Sequence, residues 1–265
     1  MLRTRVLSAL VLAPVAVAAI YFGDPVFDLF IVAAAIVMVW EWATITGQGR
    51  FGAAGLALVA VIVGNGIAVY FGWPAAVVPI LIAGAMVTAG IAKWAGHARP
   101  IWAGAGALYI GLPTAALMWL RGLPADGLLI VIWLFVVVWA TDIGAYFAGR
   151  TIGGPKLAPR ISPNKTWAGL GGGILLAAIM GSAVAAWGGL SDVFIPALAG
   201  GFLAIVAQIG DLAESAIKRK FEVKDSSHII PGHGGLLDRL DGVIAVAPTV
   251  VFVNWISGGK ILIWQ

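Results

Sequence analysis

Long apolar runs alternate along the chain with short polar or charged interruptions, and nine of the runs have a length that spans a bilayer. They are Val6–Phe22, Val26–Ile45, Phe51–Phe71, Ala75–Ala92, Ile101–Leu120, Gly127–Phe147, Trp167–Trp187, Val193–Ala213 and Val243–Leu262. An α-helix rising 1.5 Å per residue needs about 20 residues to cross roughly 30 Å of hydrocarbon, and each run is close to that. The ninth has only about 14 clean residues before Ser257-Gly258-Gly259. Runs three to five are rich in Gly and Ala, which suits close helix packing and blurs their edges. Arg3 and Arg5 before the first run would also fit a signal peptide, but the runs that follow make a retained first transmembrane helix with a cytoplasmic N-terminus the simpler account. The pattern therefore predicts an all-α, polytopic integral membrane protein with about nine transmembrane helices.

Loop charge tests that count independently. With the N-terminus inside, 14 of the 16 Lys and Arg residues fall on the cytoplasmic side, and only Arg121 and Lys260 fall on the other. This is the division the positive-inside rule expects, and a missed central span would blur it. Composition agrees: 61% of the 265 residues are apolar and 11% charged, with 36 Gly and 12 Trp and a mean hydropathy of +1.01, far from a water-soluble balance. A net charge of +4 could suggest nucleic acid. The cations lie between apolar runs and form no continuous basic face, so a membrane surface is expected and a nucleic-acid partner is not. There is no Cys, which excludes disulfides, thiolate chemistry and Cys-based zinc sites, and three His are too few for a His cluster. No repeat or linker interrupts the chain, so residues 1–265 read as one domain.

Candidate chemistry concentrates between Ser215 and Asp241. These 27 residues hold Lys218, Arg219, Lys220, Lys224 and Arg239, the acids Glu222, Asp225, Asp238 and Asp241, and two of the three histidines around Pro231-Gly232-His233-Gly234-Gly235. Cations beside carboxylates and glycines suit a polyphosphate held with a metal ion: acids take the metal, cations take phosphate oxygens, and glycines let backbone amides approach. Loops that only set membrane orientation have no use for the acids. Just upstream, in Gln208-x-x-Asp211-x-x-Glu214-Ser215-x-x-Lys218, Asp211, Glu214, Ser215 and Lys218 would share one face of a continuing helix, with a helix-end pair between Asp211 and Lys218 as the plainer reading. Asp238 and Asp241 would share a face of a helix starting near Leu236.

Three further motifs stand out. Asp142 lies in an apolar run one turn before Tyr146. Ser162-Pro163-Asn164-Lys165-Thr166 precedes a glycine-rich helix, with Ser162 and Thr166 as potential caps and Lys165 placed against the helix dipole, as if for an anion. Gly171-Gly172-Gly173 lies inside an apparent membrane helix without P-loop spacing and reads as packing. Glu41, between Trp40 and Trp42, reads as an interfacial anchor, and His97 and His228 as exposed loop residues.

The series Ser215-x-Ile217-Lys218-Arg219, Lys224-Asp225, Pro231-Gly232-His233-Gly234-Gly235 and Asp238-Arg239-x-Asp241 resembles the signature of the phosphatidate cytidylyltransferases, or CDP-diacylglycerol synthases. Asp142-x-x-Ala145-Tyr146 and Ser162-Pro163-x-Lys165-Thr166 resemble further elements of that family, Glu41 falls on a family position, and Ser227 stands where members often carry Gly. The resemblance implies a cytoplasmic-side site that uses CTP and phosphatidate, within membrane lipids, to form CDP-diacylglycerol and pyrophosphate. On this reading Asp211, Lys218, Arg219, Lys224, Asp225, His233, Asp238, Arg239 and Asp241 are catalytic. Asp142, Ser162, Lys165, Thr166, Ser215, Gly234 and Gly235 bind substrate. Asp211, Asp238 and Asp241 hold Mg²⁺ or another divalent cation. The expected location is the inner (plasma) membrane, and a homodimer is compatible with the chain. The alternatives are a related enzyme acting on another lipid phosphate and, from a different class, an ion-coupled transporter with intramembrane acids.

Overall fold

The computed structural model describes residues 2–124, 126–232 and 234–256 and, within the first helix, the side chains of residue 10 and of 13 onward. Among these residues, nine helices and one short hairpin follow in the order α1 (Leu2–Phe22), α2 (Val26–Thr46), α3 (Gly52–Tyr70), α4 (Pro74–Trp94), α5 (Pro100–Arg121), α6 (Gly127–Thr151), β1 (Lys156–Ala158), β2 (Ser162–Thr166), α7 (Trp167–Trp187), α8 (Phe194–Lys220) and α9 (Leu237–Ile256). Among the described residues, α2 to α9 are each long and apolar enough to cross a membrane, and α1 contributes the apolar stretch Ala13–Phe22. The chain is all-α and polytopic. Ile101, Met86, Leu175 and Phe194 lie largely exposed, a surface that hydrocarbon tolerates and water does not. The last expected span reached Leu262; residues 257–262 lie outside the described residues.

The helices fall into two compact units, Met1–Gly122 with Lys220–Leu240, and Leu123–Arg219 with Asp241–Gln265. In the first, α2 to α5 pack on one another and α1 on α2. Close approach depends on small residues: a Cβ at Gly104 would meet the Ala85 carbonyl on α4, and one at Gly106 would meet the Trp42 indole on α2. Trp42 stacks on Tyr109 with centroids 4.9 Å apart and donates from Nε1 to the Trp102 carbonyl at 2.8 Å. The buried Asn65 amide donates to the Gly111 carbonyl at 3.1 Å, tying α3 to α5. Arg121 donates from Nε to the Ile20 carbonyl at 2.7 Å and from Nη2 to the Tyr21 carbonyl at 3.2 Å. It thereby satisfies carbonyls that the end of α1 leaves unpaired, and a cation there complements the helix dipole.

In the second unit α6 and α7 pack along glycines. A Cβ at Gly144 would run into the Gly172 carbonyl, and one at Gly173 would lie 2.9 Å from the Thr141 carbonyl. Two of the three consecutive glycines therefore face α6 as packing. Gly200 seats α8 against α7 at Ala177, and Gly210 seats α8 against α9 at the Asp241 carbonyl. The hairpin pairs Lys156 with Thr166 and Ala158 with Ser162. It corrects one expectation: α7 begins at Trp167, so only Thr166 caps it, its Oγ1 accepting from the Gly169 amide at 3.0 Å, while Ser162 belongs to β2 and caps nothing.

Candidate active site

In the second unit, the strand β2 presents Lys165 to α8. Its Nζ pairs with Asp211 Oδ2 at 2.5 Å, and Ser215, one turn along α8, donates from Oγ to Asp211 Oδ1 at 3.3 Å. The plainer alternative for Asp211, a helix-end pair with Lys218, is not formed: Lys218 Nζ sits 3.2 Å from Glu214 Oε1, the i, i+4 partner. On α9, Asp241 accepts from the Gly242 amide at 2.7 Å. Asp211, Asp142 and Lys165 are close enough to Asp241 to act on its charge. A cavity of about 190 Å³ opens beside this cluster, lined by Asp142, Tyr146, Lys165, Thr166, Gln208 and Asp211. Five residues expected in the site, Asp142, Lys165, Thr166, Asp211 and Asp241, thus share one region.

That cluster sets three carboxylates against one ammonium. The excess of hard anionic oxygen suits a divalent cation, and Mg²⁺ characteristically takes one or two carboxylates and completes its octahedron with water and substrate phosphate. Among the described residues no group of three or more His, Asp or Glu side chains forms a ready metal cage, so phosphate oxygens would have to share in holding the ion. Asp211 and Asp241 fit that arrangement.

The first unit holds the signature loop. Lys224, Asp225 and Arg239 are exposed there, as is Arg219 in the second unit. Ile230 and Gly234 close a tight reverse turn, the Ile230 amide donating to the Gly234 carbonyl at 3.0 Å, with Gly234 at φ 81° in the left-handed region that favours glycine. His233 lies outside the described residues. Asp238 Oδ2 accepts from the Gly235 amide at 2.8 Å, the Ser226 amide at 2.9 Å and Ser226 Oγ at 3.0 Å. Where the expectation put open space for a ligand beside Gly235, a Cβ would collide with Ser226 Oγ and Glu41 Oε1.

Several residues here carry more weight than their sequence signal. Glu41 is no interfacial anchor: it is 0% exposed and bound into the signature loop. His97 is half-buried and lines a crevice beside Thr46 and Phe51; His228 is exposed as expected. A larger cavity of about 560 Å³ is lined by Thr46, Gln48, Arg99, Lys220, Glu222 and Ser226, among others. Arg99 donates to the Lys220 carbonyl at 2.8 Å and lies over the Phe221 ring, while Lys220 lies over Trp102, each 5.3 Å from the centroid. Two cations on a polar cavity of this size can take a phosphorylated ligand. Lys220 stood in the charged cluster that the sequence singled out, whereas Arg99 looked like any other cation of the positive-inside pattern.

A family model described as "Cytidylyltransferase family" matches residues 3–257. A protein named phosphatidate cytidylyltransferase from Brucella melitensis is 41% identical over 268 positions, spanning 93% of this chain and 90% of its own. One of the same name from Pseudomonas aeruginosa is 36% identical over 297 positions, spanning 97% and 98%. A third, from Bacillus subtilis, is 43% identical over 148 positions, spanning 56% and 55%.

Proposed function

Because the chain belongs to the cytidylyltransferase family, we propose that it is an integral-membrane CTP:phosphatidate cytidylyltransferase, forming CDP-diacylglycerol and pyrophosphate. The observation that carries the chemistry is the Asp142–Lys165–Asp211–Asp241 cluster beside its cavity. A phosphate oxygen of phosphatidate attacks the α-phosphorus of CTP in line. The new P–O bond forms as the bond from the α-phosphorus to the bridging oxygen breaks, and pyrophosphate leaves with the electron pair. A phosphomonoester with a second pKa near 6 is already largely dianionic at pH 7, so no side chain need remove a proton first. Lys165 orients a lipid phosphate and offsets its charge, and the cations of the signature loop hold the triphosphate. A divalent cation at Asp211 and Asp241, when bound, supplies positive charge to the leaving group.

The site is placed at the cytoplasmic face of the inner membrane, where CTP arrives from water and the lipid from the leaflet. Drawing two acyl chains into water would cost about 0.8 kcal/mol per CH₂, which a headgroup site cannot offset, so the lipid phosphate must be met at headgroup depth. The absence of native Cys makes the topology directly testable. Gln48→Cys, Lys156→Cys and His228→Cys are expected to react with an impermeant maleimide only from the cytoplasmic side, and Trp73→Cys and Ser191→Cys only from outside. Labelling of position 228 from outside would remove the basis of this assignment.

The decisive assay supplies purified protein with radiolabelled CTP, phosphatidate and Mg²⁺, and the expected result is labelled CDP-diacylglycerol with one pyrophosphate per turnover. Failure to convert CTP or dCTP with any lipid phosphate, together with ion flux into liposomes, would replace the enzyme by a transporter. Within the same assay Lys165→Ala is expected to raise the KM for phosphatidate and Lys224→Ala that for CTP, each by about tenfold with kcat held, as for contacts made equally in ground and transition states. Both substitutions raising the same KM would reject the division.

A further inference from the structure

We propose that Glu41 is a positioning residue for the reaction: from α2 its carboxylate clamps the start of α9 and the loop that fixes Asp238. The first turn of any helix leaves amides without partners, and the position before α9 is Leu236, which has no side-chain oxygen to cap them. Glu41 fills that role from 195 residues away. Its Oε1 accepts from the Leu236 amide at 2.8 Å and from Ser227 Oγ at 2.5 Å. Its Oε2 accepts from the Leu237 amide at 2.8 Å and lies 3.3 Å from Ser226 Oγ. Gly235 has no side chain because this carboxylate and Ser226 Oγ occupy the space its Cβ would take.

One of these donors, Ser226 Oγ, also reaches Asp238. The Ser226 hydroxyl has one proton to give and stands between two carboxylates, 3.0 Å from Asp238 Oδ2 and 3.3 Å from Glu41 Oε2. The Ser226 and Gly235 amides hold Asp238 Oδ2 directly. Segment 226–238 is therefore wired between two carboxylates, one on the helix it starts and one on a distant membrane helix. A carboxylate is required rather than an amide: each Glu41 oxygen faces a backbone N–H, and Gln would turn an NH₂ donor towards one of them. Asp would fall a methylene short of both.

The role in turnover rests on the cytidylyltransferase reading; the clamp itself does not. In Glu41→Gln, hydrogen–deuterium exchange of the full-length protein in detergent is expected to speed up at least tenfold at the Leu236 and Leu237 amides, while α4 is unchanged. The helix whose start Glu41 clamps also carries Asp241, and loss of a group that positions a metal-binding carboxylate characteristically weakens metal affinity or activity 10–100-fold. Accordingly the Mg²⁺ concentration for half-activation should rise about tenfold and kcat fall by a similar factor, with the KM for phosphatidate within twofold. A merely structural role would lower the yield of folded protein without moving half-activation per folded molecule. Should Glu41→Gln not accumulate as folded protein, Ser226→Ala decides: faster exchange at 226 and 227 with half-activation raised at least threefold supports the clamp, and wild-type values for both overturn it. Wild-type exchange at 236 and 237 in Glu41→Gln, or unaltered half-activation, equally overturns it. If the wild-type protein turns over no CTP, the reaction reading fails, and the exchange arm alone still upholds or removes the clamp.

Discussion

Asp211→Asn is expected to lower turnover by about 100-fold or more while the protein remains folded and monodisperse. The substitution keeps the shape of the side chain and removes its charge. Lys165 then loses its partner at 2.5 Å, and the cluster around the 190 Å³ cavity loses one of its three carboxylates. Removing one member of a fully buried ion pair typically destabilises by 3–5 kcal/mol, but the Lys165 and Asp211 side chains are 16% and 28% exposed. Solvent screening brings the figure to about 1–2 kcal/mol, within what a folded protein tolerates. The loss of a preorganised charge at a developing one has the larger consequence, about 10²–10³ in kcat. Asp241→Asn should behave likewise, because Asp211 and Asp241 are the acids proposed to hold the ion. The check is kcat at limiting and saturating Mg²⁺ beside size-exclusion profiles; near-normal turnover in both variants at limiting Mg²⁺ sinks the assignment.

Gly144→Ala and Gly171→Ala are expected to move stability in opposite directions. A Cβ at Gly144 would collide with the Gly172 carbonyl and lie 2.9 Å from Leu176 Cβ. Backbone cannot swing aside as a flexible side chain does, so α6 and α7 must separate, at about 1–3 kcal/mol for one methyl. Gly171 sits in the same helix with nothing within 4 Å of a built Cβ. Ala there restricts the unfolded chain and gains roughly 0.5–1 kcal/mol. Thermal unfolding in detergent separates the two, and a Gly144→Ala protein as stable as wild type would show that the close approach is not what holds these helices together.

Hydropathy made the helices legible because a membrane helix must satisfy its own backbone and face lipid along its length. It failed where charge or brevity masked the signal. α9 begins at Leu237, six residues before the apolar run that announces it, because Asp238, Arg239 and Asp241 occupy its first turns; the i, i+3 spacing of the two acids, not hydropathy, placed its start near Leu236. The hairpin has strands of three and five residues, too short for alternation to register. Within the site, the local pair Glu214–Lys218 follows helical spacing, and the plainer reading of Asp211, a pair with Lys218, is not the one formed. The partner Asp211 does take, Lys165, comes from a strand 46 residues upstream and has no periodic signature. Glu41 was least legible: flanking Trp residues mark a membrane interface whether the acid between them is solvated or, as here, wholly buried.

The length of chain between Glu41 and the groups it binds orders events during biosynthesis. The carboxylate leaves the ribosome with α2, and its donors at 226–237 follow 185 to 196 residues later. At 5–20 residues per second that is an interval of roughly 10–40 s. Throughout it α2 resides beside or within lipid carrying an acid for which the described residues provide no other hydrogen-bond donors. The signature loop can be fastened only after α9 has begun to emerge, so a nascent chain arrested before residue 236 would have α1 to α8 and lack its fastened site.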